Sequence, residues 1–156
     1  MFETILVPLD GTPDAEKALD AVKAIDTQFE SDVRLLLVSP TESALLATLA
    51  EGFGAGGSVA AAMEKGRTLY EIGSAYLESI RDNSGDPSWE LEVRPGEPHR
   101  TIVEVADEIN ADLIIMASHT RTGLSRILMG SVAEDVLRHA HRPVLVVPVG
   151  HGAKKP

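Results

Sequence analysis

Two short stretches combine residue types suited to holding a phosphorylated small molecule. The first is Val7-Pro8-Leu9-Asp10-Gly11-Thr12. Asp10 follows an apolar, β-branched run and precedes Thr12-Pro13, a pair that suits a helix start. A carboxylate there accepts hydrogen bonds from a ribose, or helps hold a Mg²⁺ whose other ligands are water and phosphate. A plainer role stays open, in which Asp10 only satisfies turn amides.

The second stretch runs from Ala117 to Ser131 (ASHTRTGLSRILMGS). Gly130 lets backbone approach a ligand closely. Ser131 opens a helical pattern over Val132–Ala140, whose free N–H groups and dipole favour a phosphate. His119, Arg121 and Arg126 are candidate phosphate contacts. Ser131 and Glu134 also spell an S-x-x-E capping box, so the serine has a competing role as a helix cap. His139 and His141 fall with Arg142 at the end of that helix, where cations suit the negative pole. No set of histidines and carboxylates has convincing metal-ligand spacing. The one metal role expected is Asp10 beside a phosphate-bound Mg²⁺.

The positioning elements follow from hydrophobic pattern. Glu3–Leu9, Val33–Val38, Leu113–Met116 and Pro143–Val149 read as buried strands. Trp89–Val93 alternates, as an edge strand with one wet face does. Helical stripes lie between them: Ala15, Ala18, Leu19, Val22 and Ile25; then Leu69, Ile72, Tyr76, Leu77 and Ile80. A third holds Ile102, Ala106 and Ile109 behind Pro98, and a fourth holds Val132, Val136, Leu137 and Ala140. Strict alternation of strand and helix predicts a single α/β domain with a mainly parallel sheet and helices on both faces. Ligands bind such sheets beyond the carboxyl ends of the strands, where strand order reverses. Asp10 and the 117–131 stretch both belong there. Thr41–Gly66 breaks the pattern. It reads as a short apolar helix and a glycine-rich loop, either a lid or partner surface or a tolerated insertion. Residues 1–150 are expected to form the domain and 151–156 a frayed tail.

Composition narrows the function. The 156 residues carry a net charge of −10. Residues 112–156 hold a balance of +3, leaving −13 for the rest. So acidic a surface repels nucleic-acid phosphates. The absence of cysteine excludes disulfides and thiolate chemistry. No apolar run approaches the roughly 20 residues of a membrane span, and no leader pattern precedes the first strand; a cytoplasmic protein is expected. The chain has no G-x4-G-K-[ST] loop and no G-x-S-x-G elbow. Catalysis is therefore expected to be absent or, at most, a slow hydrolysis.

Three segments carry a resemblance. ILVPLDGTPDAEKAL, GEPHRTIVEVADEINADLIIMASH and RTGLSRILMGSVAEDVLRHAHRPVLVVPV together resemble the universal stress protein (UspA-like) family over nearly the whole chain. The resemblance implies an open twisted five-stranded parallel sheet, order 3-2-1-4-5, of the adenine nucleotide alpha hydrolase-like type. It implies a homodimer joined along the last strand, with Val144, Val146, Val147 and Val149 on that edge, and a protein partner it does not identify. Many members bind ATP through a G-x2-G-x9-G-[ST] loop. The matching positions here are Ala117, Thr120, Gly130 and Ser131, so the spacing is kept and two glycines are replaced. Pro8, Asp10, Val38, Met116 and Val132 match other nucleotide-contacting positions. Thr120 is the weightier departure, because a β-branched residue resists positive φ and crowds close backbone approach. An alternative reading is a nucleotide-independent dimeric interaction protein whose phosphate loop has degraded.

Overall fold

The chain runs through β1 (Thr4–Leu9), a 3-10 turn (Ala15–Ala18), α1 (Leu19–Phe29), β2 (Asp32–Ser39) and α2 (Val59–Ser84). It continues through β3 (Glu90–Pro95), α3 (Pro98–Glu108), β4 (Leu113–His119), β5 (Arg121–Gly123), β6 (Arg126–Leu128), α4 (Ser131–His139) and β7 (Val144–Val149). This computed structural model describes residues 1–45, 47, 59–119, 121–123 and 126–150, with backbone alone for 59, 121–123 and 126–128. Most of the apolar 46–58 stretch, Thr120 and the 151–156 tail lie outside the described residues.

Five strands form one parallel sheet in the order β3-β2-β1-β4-β7, the expected 3-2-1-4-5 arrangement. The stretch after β4, expected as a loop, holds an antiparallel hairpin of β5 and β6, with Arg121 opposite Leu128. Successive side chains of a strand point to opposite faces, and β1 shows the consequence. Ile5, Val7 and Leu9 pack with Val22, Leu77, Ile80 and Trp89 on one face. Leu6 packs with Ile102, Val105, Ala133 and Val136 on the other. Helices α1 and α2 thus cover one side, and α3 and α4 the other.

The helices differ from expectation in three places. The first begins as a 3-10 turn rather than at Pro13, although the Thr12 Oγ1 does accept the Ala15 N–H at 3.3 Å. On α2, Ile72 is 60% exposed. The buried line runs instead through Ala62, Gly73, Leu77 and Ile80. Gly73 belongs to it because a methyl there would stand 3.0 Å from Leu37 and 3.3 Å from Val93. On α4, Ala133 and Val136 are buried while Leu137 is exposed.

The sheet edges contrast. At β3, Arg34 pairs with Glu90 and Glu92, and Arg94 with Glu92 and Glu108. Charge along an edge discourages pairing with another chain. At β7 the sequence is VLVVPV, with Leu145 exposed and Val144, Val146 and Val147 half-buried.

Candidate functional site

Strand order reverses between β1 and β4. Their ladder pairs Ile5 with Leu113 and Leu6 with Ile114 and goes no further, whereas β1 and β2 pair over six residues. Pro8 has no N–H to extend the β1 ladder. Beyond Leu6 the two strands part, and a crevice opens at their carboxyl ends, as the topology requires.

That crevice is a cavity of about 310 Å³. Pro8, Leu9 and Asp10 line it from β1, Val38 from β2, and Met116 to His119 from β4. Pro98 and Ile102 enter from α3, and Gly130 to Ala133 from the start of α4. Most of the wall is apolar, and the polar groups gather at the strand ends, a pattern typical of small-ligand sites. Of the residues singled out in the sequence, Pro8, Asp10, Val38, Met116, Ala117, His119, Gly130, Ser131 and Val132 all face this space. Thr120 lies outside the described residues. Arg121 and Arg126 are described by backbone only, in the hairpin that follows β4.

Asp10 does hold turn groups. Its Oδ1 accepts the Thr12 N–H at 2.9 Å and the Thr12 hydroxyl at 2.6 Å. The plainer role is thus real, and it fixes the carboxylate at the cavity wall. Deeper in the fold, the Tyr76 hydroxyl donates to Glu16 at 3.1 Å. Burial first, then that bond and the charges of Glu16 and Asp10, push the phenol well above its ordinary range. Tyr76 therefore stays neutral and keeps donating.

The opening of α4 corrects the capping reading. Gly130, not Ser131, is the N-cap, and among the described residues no side chain caps the helix. Glu134 pairs with Arg138 instead of reaching back. Ser131 is therefore the first helical residue, with an exposed side chain beside first-turn amides that take no cap. Gly130 itself is anchored by its N–H, which donates to the Ser118 Oγ at 2.9 Å. Its glycine identity is spatial. A methyl there would stand 3.2 Å from that same Oγ.

Ala117 lies inside β4 opposite Val147, and is not among the described residues with positive φ. An extended backbone accepts its methyl without strain. At the far end of α4 the expected helix-end cations divide. His139 Nδ1 contacts the Asp135 carbonyl at 2.7 Å, and His141 adopts a left-handed φ of 48°. Arg142 donates to the carbonyls of Ala106, Ala111 and Ala140.

Sequence reasoning missed Leu9, Ala15, Pro98, Ile102, Ser118 and Ala133 on the cavity wall. Ser118 and Ala133 are neighbours of residues that were named. Pro98 and Ile102 reach the cavity only because α3 crosses to the α4 side, which no local motif signals. Among the described residues no cluster of three or more His, Asp or Glu could hold a metal, and no helix is long and apolar enough to cross a membrane.

Comparison with known proteins is consistent with this architecture. The universal stress protein family model matches residues 1–148. Universal stress protein MJ0577 of Methanocaldococcus jannaschii is 34% identical over 154 residues, covering 94% of this chain and 95% of that protein. The solved structure of MJ0577 superposes with a TM-score of 0.75 at 32% identity, covering 97% of this chain and 99% of that one. A universal stress protein solved in complex with cAMP matches with a TM-score of 0.58 at 23% identity, covering 94% and 97%. One from Archaeoglobus fulgidus in complex with dAMP matches at 0.53 and 23%, covering 94% and 98%. The shared fold is the adenine nucleotide alpha hydrolase-like one. The chain belongs to the universal stress protein family.

Proposed function

We propose that this chain is a stress-response regulator that binds ATP in the crevice between β1 and β4 and changes its affinity for a protein partner with occupancy. One observation carries the reading: Asp10 and the uncapped start of α4 line the same, mostly apolar cavity. Pro8, Val38, Met116, Ile102 and Val132 offer the apolar walls an adenine needs. The Gly130–Val132 segment offers amides and the Ser131 hydroxyl to phosphates. Ala117, Thr120, His119, Arg121 and Arg126 complete the phosphate side of the proposal. Asp10 suits a Mg²⁺ that keeps most of its ligands from water and phosphate, because a single carboxylate is enough for such an ion. The cAMP and dAMP complexes of the two neighbours support an adenine ligand.

The same reading includes a homodimer through β7. Its Val144, Val146, Val147 and Val149 edge lacks the charges that guard β3, and an apolar edge is stabilised by pairing with a second copy. A role that depends on ATP places the protein in the cytoplasm, where the nucleotide is abundant.

Titration calorimetry with ATP, ADP, AMP and cAMP, each with and without Mg²⁺, tests the binding. Saturable one-to-one binding of an adenine nucleotide is expected. No binding by any of the four would leave the nucleotide-independent interaction protein as the surviving reading. Sedimentation of wild type against Val146→Lys tests the edge, with the variant expected to be monomeric.

A further inference from the structure

Beside the large cavity lies a second one of about 20 Å³, lined by Asp10, Asp14, Ala15, Ala117, His119 and Val149. Asp10, Ala15, Ala117 and His119 line both spaces. A volume of that order seats one water molecule, provided it has polar partners. Asp10, Asp14 and His119 supply them. The His119 Nδ1 faces the Asp14 Oδ2 at 3.5 Å. The other oxygen of Asp14 is held by the Lys17 Nζ at 3.1 Å. A carboxylate facing one ring nitrogen orients an imidazole and leaves its other nitrogen for proton transfer. The phosphate side is close by. A methyl on Gly130 would lie 3.7 Å from the His119 carbonyl oxygen and 3.8 Å from its nitrogen. Gly130, which precedes the first amides of α4, thus packs against the His119 backbone, and His119 lines the large cavity together with Gly130 and Ser131.

We propose that His119, oriented by Asp14, is the general base for slow hydrolysis of the terminal phosphoanhydride of a bound nucleoside triphosphate. The proposal rests on the nucleotide reading above. The water in the small cavity bonds through its oxygen to the γ-phosphorus and gives a proton to neutral His119. The bond from that phosphorus to the bridging oxygen breaks, and its electron pair leaves with the nucleoside diphosphate. The products are diphosphate nucleotide, orthophosphate and one proton, which His119 returns to solvent through a side chain that is 58% exposed. That exposure and the 3.5 Å contact mark a loosely held base. The expected turnover is on the order of 10⁻⁴ to 10⁻² per second, the range of unassisted nucleotide hydrolases.

The test measures phosphate release from γ-labelled Mg-ATP by the full chain, alongside calorimetric affinity and histidine-ring NMR. Wild type is expected to release phosphate, with the imidazole of His119 accepting the proton of the water. Asp10 and Asp14, the latter paired with Lys17, are the charged groups lining the small cavity with it. His119→Gln is expected to slow turnover at saturating Mg-ATP by about 10-fold or more. Asp14→Asn is expected to lower turnover about 3- to 10-fold at unchanged affinity, and Asp14→Glu to restore it. The His119 ring resonances are expected to shift on adding Mg-ATP. Equal turnover by His119→Gln and wild type overturns the proposal, as does a wild type that binds ATP yet releases no phosphate. A protein that binds no nucleotide overturns the underlying reading as well.

Discussion

Ser118 and Gly130 are joined across the mouth of the crevice: the Gly130 N–H donates to the Ser118 Oγ at 2.9 Å. The serine is 4% exposed, so this bond ties the end of β4 to the N-cap of α4 in a place water barely reaches. Ser118→Ala leaves that N–H without its partner, at a cost of about 1–3 kcal/mol. Urea denaturation is expected to show the loss. Calorimetry should show weaker binding of adenine nucleotide, since the amides that follow Gly130 lose their anchor.

Gly96 and Thr101 carry a second, purely steric prediction. A methyl on Gly96 would stand 2.0 Å from the Thr101 Oγ1, and Thr101 is buried. Gly96→Ala must therefore turn the Thr101 side chain or displace the start of α3, whose Pro98 and Ile102 line the cavity. Overpacking of this kind costs about 1–3 kcal/mol. Thr101→Ala in the same chain removes the clashing oxygen and is expected to recover part of the loss. A double-mutant cycle in urea that shows no coupling between the two sites would contradict this account.

The crevice was legible in the sequence because a parallel sheet leaves few choices. β-Branched runs marked the strands, strict alternation set their direction, and the switch point brought Asp10 and Ser131 together. What escaped the sequence depends on packing. Gly73 occupies a buried position on α2 that an apolar count assigns to Ile72. The S-x-x-E pattern at Ser131 suggested a cap, yet the helix starts one residue early for it and Glu134 finds Arg138. The β5–β6 hairpin hid in a polar stretch with no strand-like alternation. The Asp14–His119 contact joins the start of the 3-10 turn to the end of β4, far apart in sequence, and only the fold shows it.

Arg142 gives a stability prediction that is independent of the ligand. Its guanidinium donates to the carbonyls of Ala106 at 3.0 Å, Ala111 at 2.5 Å and Ala140 at 3.1 Å, and pairs with Asp107. It thereby ties carbonyls at and just beyond the end of α3 to the C-cap of α4, and the Ala106 carbonyl also accepts the Ala111 N–H at 2.9 Å. A lysine cannot reproduce that fork. Arg142→Lys is expected to lower unfolding free energy by about 1–3 kcal/mol, and Arg142→Ala by more. Nucleotide affinity should change little in the lysine variant, because Arg142 lies away from the cavity wall.

Acid sensitivity follows from two carboxylates on α3. Glu97, the N-cap, is pushed up by burial, but the Arg100 N–H bond and the neighbouring His99 outweigh this and hold it below its ordinary range. Glu108 is held low by its paired bonds to Arg94, 2.8 Å each. Both groups bind protons less readily folded than unfolded. Their contribution is therefore complete above the ordinary carboxylate range, and is lost as pH falls through the lowered folded values. Both are solvent-exposed, so the effect should be small and should shrink with added salt. Urea midpoints for wild type, Glu97→Gln and Glu108→Gln between neutral pH and pH 3.5 check the sign. The gap between wild type and each variant should close on acidification, and a gap that widens would refute the assignment.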